Sequence, residues 1–296
     1  MLCIFVFICP CCITGSFKIR GAFNKLLTYL EENEGHGGNP QTFVTASTGN
    51  HGMGAALAFT TLKQKGVVFV PENVDPAKEK TLRLYDVTLE KYGTDCVETE
   101  MKARSYSDDN NMVFISPYAD YDVIKGQGTI AKEVLADLPQ LDAVFVTVGG
   151  GGMISGIAAF LKSVKPEVDV VGCLPLNSPV MYESVKAGKI IDMECRDTLS
   201  DASAGGIEAG SPTFDICRRL VDRWVTVTEE EIGRAMYELL DTHHKVVEGS
   251  AGVAMASVAK TCGDYRGKNV AVVICGANLS MANLKKVIKM GEKGKK

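Results

Sequence analysis

Short apolar segments alternate with helical patterns along most of this 296-residue chain. Strands are predicted over residues 2–8, 42–46, 67–70, 87–90, 113–115, 143–148, 169–172 and 269–274. Helices are predicted over residues 52–62, 76–85, 101–108, 128–138, 154–163, 180–187, 212–221, 229–242 and 251–260. Because strands that alternate with helices usually pair in parallel, this pattern predicts an α/β fold with open, twisted, mostly parallel sheets flanked by helices.

One long polar loop, residues 192–210, interrupts the pattern. A loop of that length inside a compact domain is usually functional or mobile. It contains Ser-Ala-Gly-Gly at residues 203–206, where the glycines would let the backbone approach a ligand closely. The elements of residues 42–119 are predicted to form a small unit of their own, and a second run of units begins near residue 126.

Lys18 stands among small residues at the start of an amphipathic helix. Apolar residues recur at helical spacing after it, which places Lys18 in the first helical turn. The helix dipole and the neighbouring Arg20 disfavour an ammonium group there. A lysine shifted toward its neutral amine can form a Schiff base with an aldehyde or act as a base. The alternative on this fragment alone is an ordinary surface lysine at a helix start.

A second polar loop, Ser47-Thr48-Gly49-Asn50-His51-Gly52, follows the strand predicted over residues 42–46. Hydroxyls, an amide and free N–H groups at a helix start form a receptor for a carboxylate. Capping of the helix is the alternative, but a single Ser or Asn would suffice for that. The Thr48 hydroxyl is also expected to cap this helix.

Four glycines, Gly149, Gly150, Gly151 and Gly152, precede Met153 between a predicted strand and a helix. Such a run is entropically costly unless its N–H groups must surround an anion. Its spacing fits neither the dinucleotide fingerprint nor a P-loop, so a phosphate without its nucleotide is predicted. A tight strand-to-helix turn is the alternative. A third loop at a strand end carries Cys275, for which a weak hydrogen-bonding role or simple burial is expected.

Composition limits the function classes. The chain has 46% hydrophobic residues, enough for one large or two medium domains. Lys and Arg number 32 against 36 Asp and Glu, and no long basic block occurs, so a nucleic-acid partner is not expected. The ten cysteines are scattered, which indicates a reducing, cytoplasmic compartment. No metal site is expected at Cys9, Cys11 and Cys12, because no His or Cys follows them at zinc-ligand spacing.

The first dozen residues are apolar but too short to span a bilayer, and they lack the charged region and cleavage site of a signal peptide. They are predicted to contain a buried strand. Neither a membrane anchor nor targeting is therefore expected.

A reactive lysine, a phosphate cradle and a carboxylate loop together indicate pyridoxal 5'-phosphate acting on an amino acid. The motifs S-F-K-I-R-G-A, S-T-G-N-H-G, G-G-G-G-M and C-G-A-N, in this order, resemble the fold-type II pyridoxal-phosphate enzymes of the threonine/serine dehydratase and serine racemase family. The resemblance covers residues 14–288. It implies a fold with two sheets and two domains. The large cofactor-binding domain is discontinuous, residues 1–41 and 120–296, and the small substrate-loop domain comprises residues 42–119.

The resemblance also implies residue roles. Lys18 resembles the Schiff-base lysine, with Phe17 beside it in the cofactor-binding motif, and Asn50 resembles the partner of the cofactor's phenolic oxygen. Gly149, Gly150, Gly151, Gly152 and Met153 resemble the phosphate cradle. Cys275 occupies the position that contacts the pyridine nitrogen, and Glu248 that of an acidic residue beside the ring. Ser47, Thr48, Asn50 and His51 resemble the substrate contacts, although His51 could equally be a surface histidine.

The implied activity is the loss of a β-hydroxyl from L-threonine, L-serine or a related hydroxy amino acid, giving a 2-oxo acid and ammonia. A serine racemase would use the same residues plus an acid/base hydroxyl opposite Lys18, for which Thr48 is the candidate; Lys18 and Thr48 are thus the catalytic candidates. A truncated protein that binds the cofactor without turnover is the alternative of another class. A homodimer is the family default.

Two departures from the family pattern carry expectations of their own. Racemase-like relatives hold a divalent ion at positions that here are Leu174 and Val180, so no metal ion is expected at that place. Relatives also carry several dozen residues before the lysine motif, so the N-terminus of the large domain is expected to be truncated.

Overall fold

The computed structural model describes residues 3–8, 13–34 and 41–294. Its strands are β1 (Cys3–Ile8), β2 (Thr42–Ala46), β3 (Lys65–Val70), β4 (Thr88–Lys91), β5 (Val113–Phe114), β6 (Ala143–Thr147), β7 (Asp169–Pro175), β8 (Arg223–Val227) and β9 (Asn269–Ile274). Its helices are α1 (Lys18–Glu32), α2 (Asn50–Thr61), α3 (Pro76–Leu82), α4 (Cys96–Asp109), α5 (Tyr121–Asp137), α6 (Gly152–Val164), α7 (Val180–Ala187), α8 (Pro212–Leu220), α9 (Glu229–His243), α10 (Gly249–Thr261) and α11 (Met281–Gly294).

The chain divides into two compact units, with boundaries after Pro10 and after Gly126. The first unit, Met1–Pro10 with Gln127–Lys296, contains a five-stranded parallel sheet in the order β1-β9-β6-β7-β8. All of β6 and nearly all of β9 is buried. Continuous apolar strands of this kind are typical of a parallel sheet covered on both faces.

The second unit, Cys11–Gly126, contains a four-stranded parallel sheet in the order β4-β3-β2-β5. Phe43 of β2 stacks on Phe59 of α2, with ring centroids 6.0 Å apart. Ala22 and Leu26 of α1 are fully buried in the same core. Because burial of one large apolar side chain contributes about 1.5–3 kcal/mol, this core fixes α1, which carries Lys18, to the sheet of the second unit.

The fold class predicted from the sequence is confirmed: every strand pair among the described residues is parallel, and helices flank both sheets. Strand β8 and helix α11 had not been predicted. Strand β8 pairs with β7 alone and is partly exposed, so its apolar signal is weak. Helix α4 begins at residue 96 rather than 101, because the Asp95 side chain caps it by accepting from the N–H groups of Val97 and Glu98.

The boundaries of the two compact units differ from those of the predicted domains. Residues 11–41 and 120–126 belong to the second compact unit, since α1 shares its core and Gly126 lies against the backbone of Gly21. The domain boundaries given from the sequence stay a prediction. No helix in the described part of the chain is both long enough and apolar enough to cross a membrane.

Candidate active site

Lys18 is the first residue of α1, so the predicted first-turn position is confirmed. Its Nζ donates a hydrogen bond to the carbonyl oxygen of Pro117 at 2.8 Å. Nζ also lies 5.3 Å from the centroid of the Phe17 ring. The Ser16 hydroxyl accepts from the Lys18 N–H at 3.4 Å. The amine is therefore held in a defined position by groups of the second unit, unlike a solvated surface lysine.

Two glycines clamp the backbone of this first turn. A Cβ atom on Gly54 of α2 would lie 3.0 Å from the Ile19 nitrogen and 3.1 Å from the Lys18 carbonyl carbon. A Cβ atom on Gly126 of α5 would lie 2.6 Å from the Arg20 carbonyl oxygen. Both neighbouring helices thus approach α1 at backbone distance. Neither glycine was predicted as a packing residue, although glycine inside a helical pattern is a signal of close packing.

The loop that contains Ser47 and Thr48 leads directly into α2. The Ser47 hydroxyl accepts from the Gly49 N–H at 3.2 Å, and a Cβ atom on Gly52 would collide with the Ser47 carbonyl oxygen. Helix α2 has Gly49 at its N-cap and no side-chain cap, so the expectation that the Thr48 hydroxyl caps it is wrong. The Thr48 hydroxyl has no hydrogen-bond partner among the described residues, and it is thus available to a ligand.

His51 is buried, with 3% of its surface exposed, so it is not a surface histidine. Its Nε2 lies 3.1 Å from the carbonyl oxygen of Ile115, which also accepts from the Thr45 hydroxyl at 2.9 Å. A carbonyl only accepts, so Nε2 carries the proton and Nδ1 is a bare acceptor. Nδ1 is buried without a partner in the described structure.

Burial lowers the pKa of His51 from 6.5 to about 3, and the charge of Lys18 acts in the same direction. The ring is therefore neutral at physiological pH. A bare Nδ1 cannot donate to a carboxylate, which leaves the backbone N–H of His51, in the first turn of α2, as the group that could do so. The role of His51 in substrate binding stays a prediction. The group predicted to contact the substrate carboxylate is its backbone N–H, not its imidazole ring.

The four-glycine loop follows β6 in the first unit. Gly151 has φ +86° and is the N-cap of α6, which has no side-chain cap. The N–H groups of Gly151, Gly152, Met153 and Ile154 have no acceptor among the described residues. Four N–H groups at the positive end of a helix dipole suit an anion.

Space around this loop excludes larger residues. A Cβ atom on Gly149 would lie 2.9 Å from the Ser203 carbonyl oxygen. One on Gly151 would lie 2.8 Å from Met181 Cε and 3.0 Å from Thr213 Cβ, in a region of φ that disfavours side chains in any case. Packing thus requires glycine at positions 149 and 151, while no described residue accepts from the N–H groups of residues 151–154. These two observations fit a phosphate group.

Cys275 and Glu248, far apart in sequence, are brought together in the first unit. Both are buried, at 2% and 3% exposure. The Glu248 N–H donates to the carbonyl oxygen of Gly276 at 3.1 Å, and a Cβ atom on Gly276 would collide with the Glu248 carboxylate. A carboxylate is therefore packed against the residue that follows Cys275, in agreement with the proximity that the family resemblance implies.

The long polar loop of residues 192–210 is anchored by buried hydroxyls. The Ser200 hydroxyl contacts that of Ser203 and donates to that of Ser250 at 3.1 Å, at the start of α10. The Leu199 N–H donates to the Glu229 carboxylate at 2.7 Å. Since the Ser203 backbone also packs on Gly149, this loop supports the four-glycine turn. The length of the loop predicts a functional or mobile segment, but its contact with the glycines was not predicted.

Leu174 and Val180, where racemase-like relatives would hold a cation, are buried apolar residues. Within residues 3–8, 13–34 and 41–294, no group of three His, Cys, Asp or Glu residues forms a metal site. The absence of a metal ion stays a prediction. Cys9, Cys11 and Cys12 lie outside the described residues.

The predicted site residues thus fall into two sets, each described within its own unit. The second unit holds Phe17, Lys18, Ser47, Thr48, Asn50 and His51, and the first holds Gly149, Gly150, Gly151, Gly152, Met153, Glu248 and Cys275.

Comparison with known proteins gives a consistent picture. A sequence model of the family described as "Pyridoxal-phosphate dependent enzyme" matches residues 10–276. An L-threonine ammonia-lyase from Thermotoga maritima is 37% identical over 278 residues, which are 94% of this chain and 68% of that protein. A threonine dehydratase from Nicotiana attenuata is 33% identical over 94% of this chain, but the chain spans less than half of it, 46%.

Solved structures show the same fold. The processed form of threonine deaminase isoform 2 from Solanum lycopersicum matches with a TM-score of 0.90 and 31% identity, covering 97% of this chain and 82% of that one. Maize serine racemase matches with a TM-score of 0.84 and 26% identity, covering 98% and 88%.

Proposed function

This chain belongs to the family of pyridoxal-phosphate-dependent enzymes, and from that premise we propose that it is an L-threonine/L-serine ammonia-lyase. Its reaction removes the β-hydroxyl and the amino group of the substrate and yields a 2-oxo acid and ammonia. The observation that carries the proposal is the 37% identity to an L-threonine ammonia-lyase over 94% of the chain. The match to serine racemases comes from structure comparison at lower identity.

The residues present fit the cofactor. The N–H groups of Gly151, Gly152 and Met153, which have no acceptor among the described residues, would hold its phosphate, and Gly149 and Gly150 would complete the cradle. Lys18 would bind its aldehyde, flanked by Phe17. When bound, pyridoxal phosphate withdraws electrons from the amino acid and so acidifies its α-proton.

The remaining cofactor contacts are assigned by resemblance to the family. Asn50 would contact the phenolic oxygen, Cys275 the ring nitrogen, and Glu248 would lie beside the ring. The burial of Cys275 and Glu248 supports their use inside a site.

Lys18 Nζ acts as the base in this proposal. With the cofactor and the substrate bound, Nζ would be the group that removes the α-proton. The hydrogen bond to the Pro117 carbonyl, 2.8 Å long, offers the amine a fixed acceptor beside the first turn of α1. An amine held in one position needs less reorganisation to reach the proton.

Cys275 directs the outcome of the reaction. A thiol at this position would keep the ring nitrogen of the bound cofactor protonated less well than a carboxylate would, so the cofactor would withdraw electrons less strongly and loss of the β-hydroxyl would be favoured. Elimination is therefore favoured over transamination. The substrate carboxylate would bind at the start of α2, where the Ser47 and Thr48 hydroxyls and the N–H groups of Asn50 and His51 are grouped.

The compartment and the assembly are proposals as well. The cysteines at positions 96, 173, 195, 217, 262 and 275 are free thiols, which suits a reducing cytoplasm. We expect a homodimer, as in the family the chain resembles.

A serine racemase is the second candidate, and the Thr48 hydroxyl is the observation that favours it. Racemisation needs a second acid/base group opposite Lys18, and this hydroxyl has no partner among the described residues. The extra methyl group of threonine restricts its rotamers and crowds the α-carbon, which favours the lyase. A chain that binds the cofactor without turnover is the third candidate.

One experiment separates the three candidates. The purified chain, loaded with pyridoxal phosphate, is incubated with L-threonine, L-serine and the hydroxylated aspartates, and 2-oxo acid and amino-acid chirality are measured. The lyase gives 2-oxobutanoate from threonine and pyruvate from serine, in excess of D-serine. D-Serine as the main product identifies a racemase, and a visible cofactor band without any product identifies the inactive binder.

A further inference from the structure

Two hydroxyl groups support the four-glycine loop: that of Thr213 in α8 and that of Ser211, the N-cap of α8. The Thr213 hydroxyl donates to the carbonyl oxygen of Gly150 at 2.7 Å. The Ser211 hydroxyl lies 2.7 Å from the Thr213 hydroxyl. Because the single Thr213 proton is already given to Gly150, Ser211 must be the donor to Thr213. The result is a directed chain from Ser211 through Thr213 to Gly150.

This chain of hydrogen bonds fixes the orientation of the peptide group between Gly150 and Gly151. In a planar trans peptide the C=O and the following N–H point in opposite directions. A Gly150 carbonyl drawn toward Thr213 therefore turns the Gly151 N–H to the opposite side of the loop. That N–H is one of those without an acceptor among the described residues. The buried hydroxyl thus orients a donor that the proposed phosphate would use.

The Ser211 hydroxyl is diverted from its usual task. Ser211 is the N-cap of α8, where a serine normally accepts from the helix N–H groups, worth about 1 kcal/mol. In this chain the side chain makes no capping bond. Both hydroxyl residues are buried, Ser211 at 5% and Thr213 at 0% exposure. The Ser211 hydroxyl therefore supports the hydrogen bond from Thr213 to the Gly150 carbonyl instead of capping α8.

We propose that Thr213, assisted by Ser211, is a positioning residue for cofactor phosphate binding: it holds the Gly150–Gly151 peptide so that the Gly151 N–H faces the phosphate. The inference rests on the proposed use of the four-glycine loop by pyridoxal phosphate. It predicts a defect specific to the phosphate and not to the pyridine ring.

The test compares binding of pyridoxal phosphate with that of pyridoxal, which has the same ring and aldehyde but a hydroxymethyl group instead of the phosphate ester. Dissociation constants are measured by absorbance titration of the full chain. Thr213→Val, which keeps the shape and removes the hydroxyl, should weaken pyridoxal phosphate binding about tenfold, equivalent to about 1.4 kcal/mol. Its binding of pyridoxal should be unchanged. Thr213→Ser, which restores the hydroxyl, should bind both close to the wild type.

Thr99→Val is the matched control, because Thr99 is also buried, at 1% exposure, and its hydroxyl donates to backbone carbonyls of the second unit. It should leave both constants unchanged. Equal affinity of Thr213→Val and wild type for pyridoxal phosphate, or an equal loss for both ligands, overturns the inference. If Thr213→Val does not fold, Ser211→Ala decides, with the phosphate-specific loss expected and its absence contrary. A wild-type chain that binds neither ligand contradicts the proposed function itself.

Discussion

Substitution of His51 should remove a pH-dependent part of the stability of this chain. His51 is buried, its pKa is lowered from 6.5 to about 3, and its Nε2–H donates to Ile115. In the unfolded chain the same ring binds a proton below its ordinary pKa of 6.5. The unfolded state therefore binds more protons in the window between about pH 6.5 and pH 3, and the free energy of unfolding falls as the pH falls through it.

The size of the effect follows from these two pKa values. At pH 5 the ring is neutral in the folded chain, and the pH lies 1.5 units below the unfolded pKa of 6.5. At about 1.4 kcal/mol per unit, burial of this neutral ring costs about 2 kcal/mol of unfolding free energy at pH 5. Above pH 7 the cost is close to zero. Against a typical total of about 5–15 kcal/mol, the difference is large enough to measure.

The assay is urea denaturation of the cofactor-free chain at several pH values from 5 to 8, followed by circular dichroism. His51→Gln keeps an N–H donor near the position of Nε2 but does not titrate, so its unfolding free energy should fall about 2 kcal/mol less than that of the wild type between pH 7 and pH 5. His243→Gln, at an exposed histidine of α9, should retain the wild-type dependence. Parallel pH profiles for wild type and His51→Gln would refute the reasoning.

Three further outcomes are expected. Lys18→Ala should abolish both the visible cofactor band and 2-oxo acid formation, and full turnover would contradict the assignment of the base. Thr48→Ser should raise the share of D-serine formed from L-serine, because the crowding methyl group is lost while the hydroxyl stays; an unchanged share in chiral chromatography would count against this role. Gly52→Ala should lower affinity for L-serine and thermal stability, because its Cβ would collide with the Ser47 carbonyl, whereas Gly49→Ala, with open space around its Cβ, should lower the melting temperature less.

The fold class could be predicted from the sequence because apolar strands alternate with helical patterns. This alternation can be read without knowing which residues are in contact in the folded chain. The bounds of β2, α7 and β9 were predicted to the residue. Strand β8 was missed because an edge strand pairs on one side and stays half polar. Helix α11 was missed although Leu284, Val287 and Ile288 recur in it at helical spacing and Val287 is buried.

The candidate site was predicted where its chemistry depends on local sequence. Lys18 at a helix start and the unpaired N–H groups of the four-glycine loop follow from residues near one another in the chain. The support from Thr213 and Ser203 could not be predicted, because both are far from the loop in sequence, Thr213 by 63 residues, and hydroxyl residues carry no periodic signal. The state of His51 was equally out of reach, since its pKa depends on burial that only the folded chain supplies.

The helices of this chain differ in whether a side chain caps their N-terminus. The helices α3, α4 and α9 are capped by the side chains of Asp75, Asp95 and Thr228. By contrast α1, α2 and α6, which begin at predicted site residues, have no side-chain cap from their N-cap residues, and neither has α10, whose N-cap is the predicted site residue Glu248. Helix α7 also lacks one, and in α8 the N-cap hydroxyl of Ser211 donates to Thr213 instead. In α6, whose first N–H groups have no acceptor among the described residues, an absent cap costs about 1 kcal/mol, so a ligand that supplies the missing acceptors recovers this energy on binding. A chain built in this way should gain more stability from an anionic cofactor than its contact area alone would give.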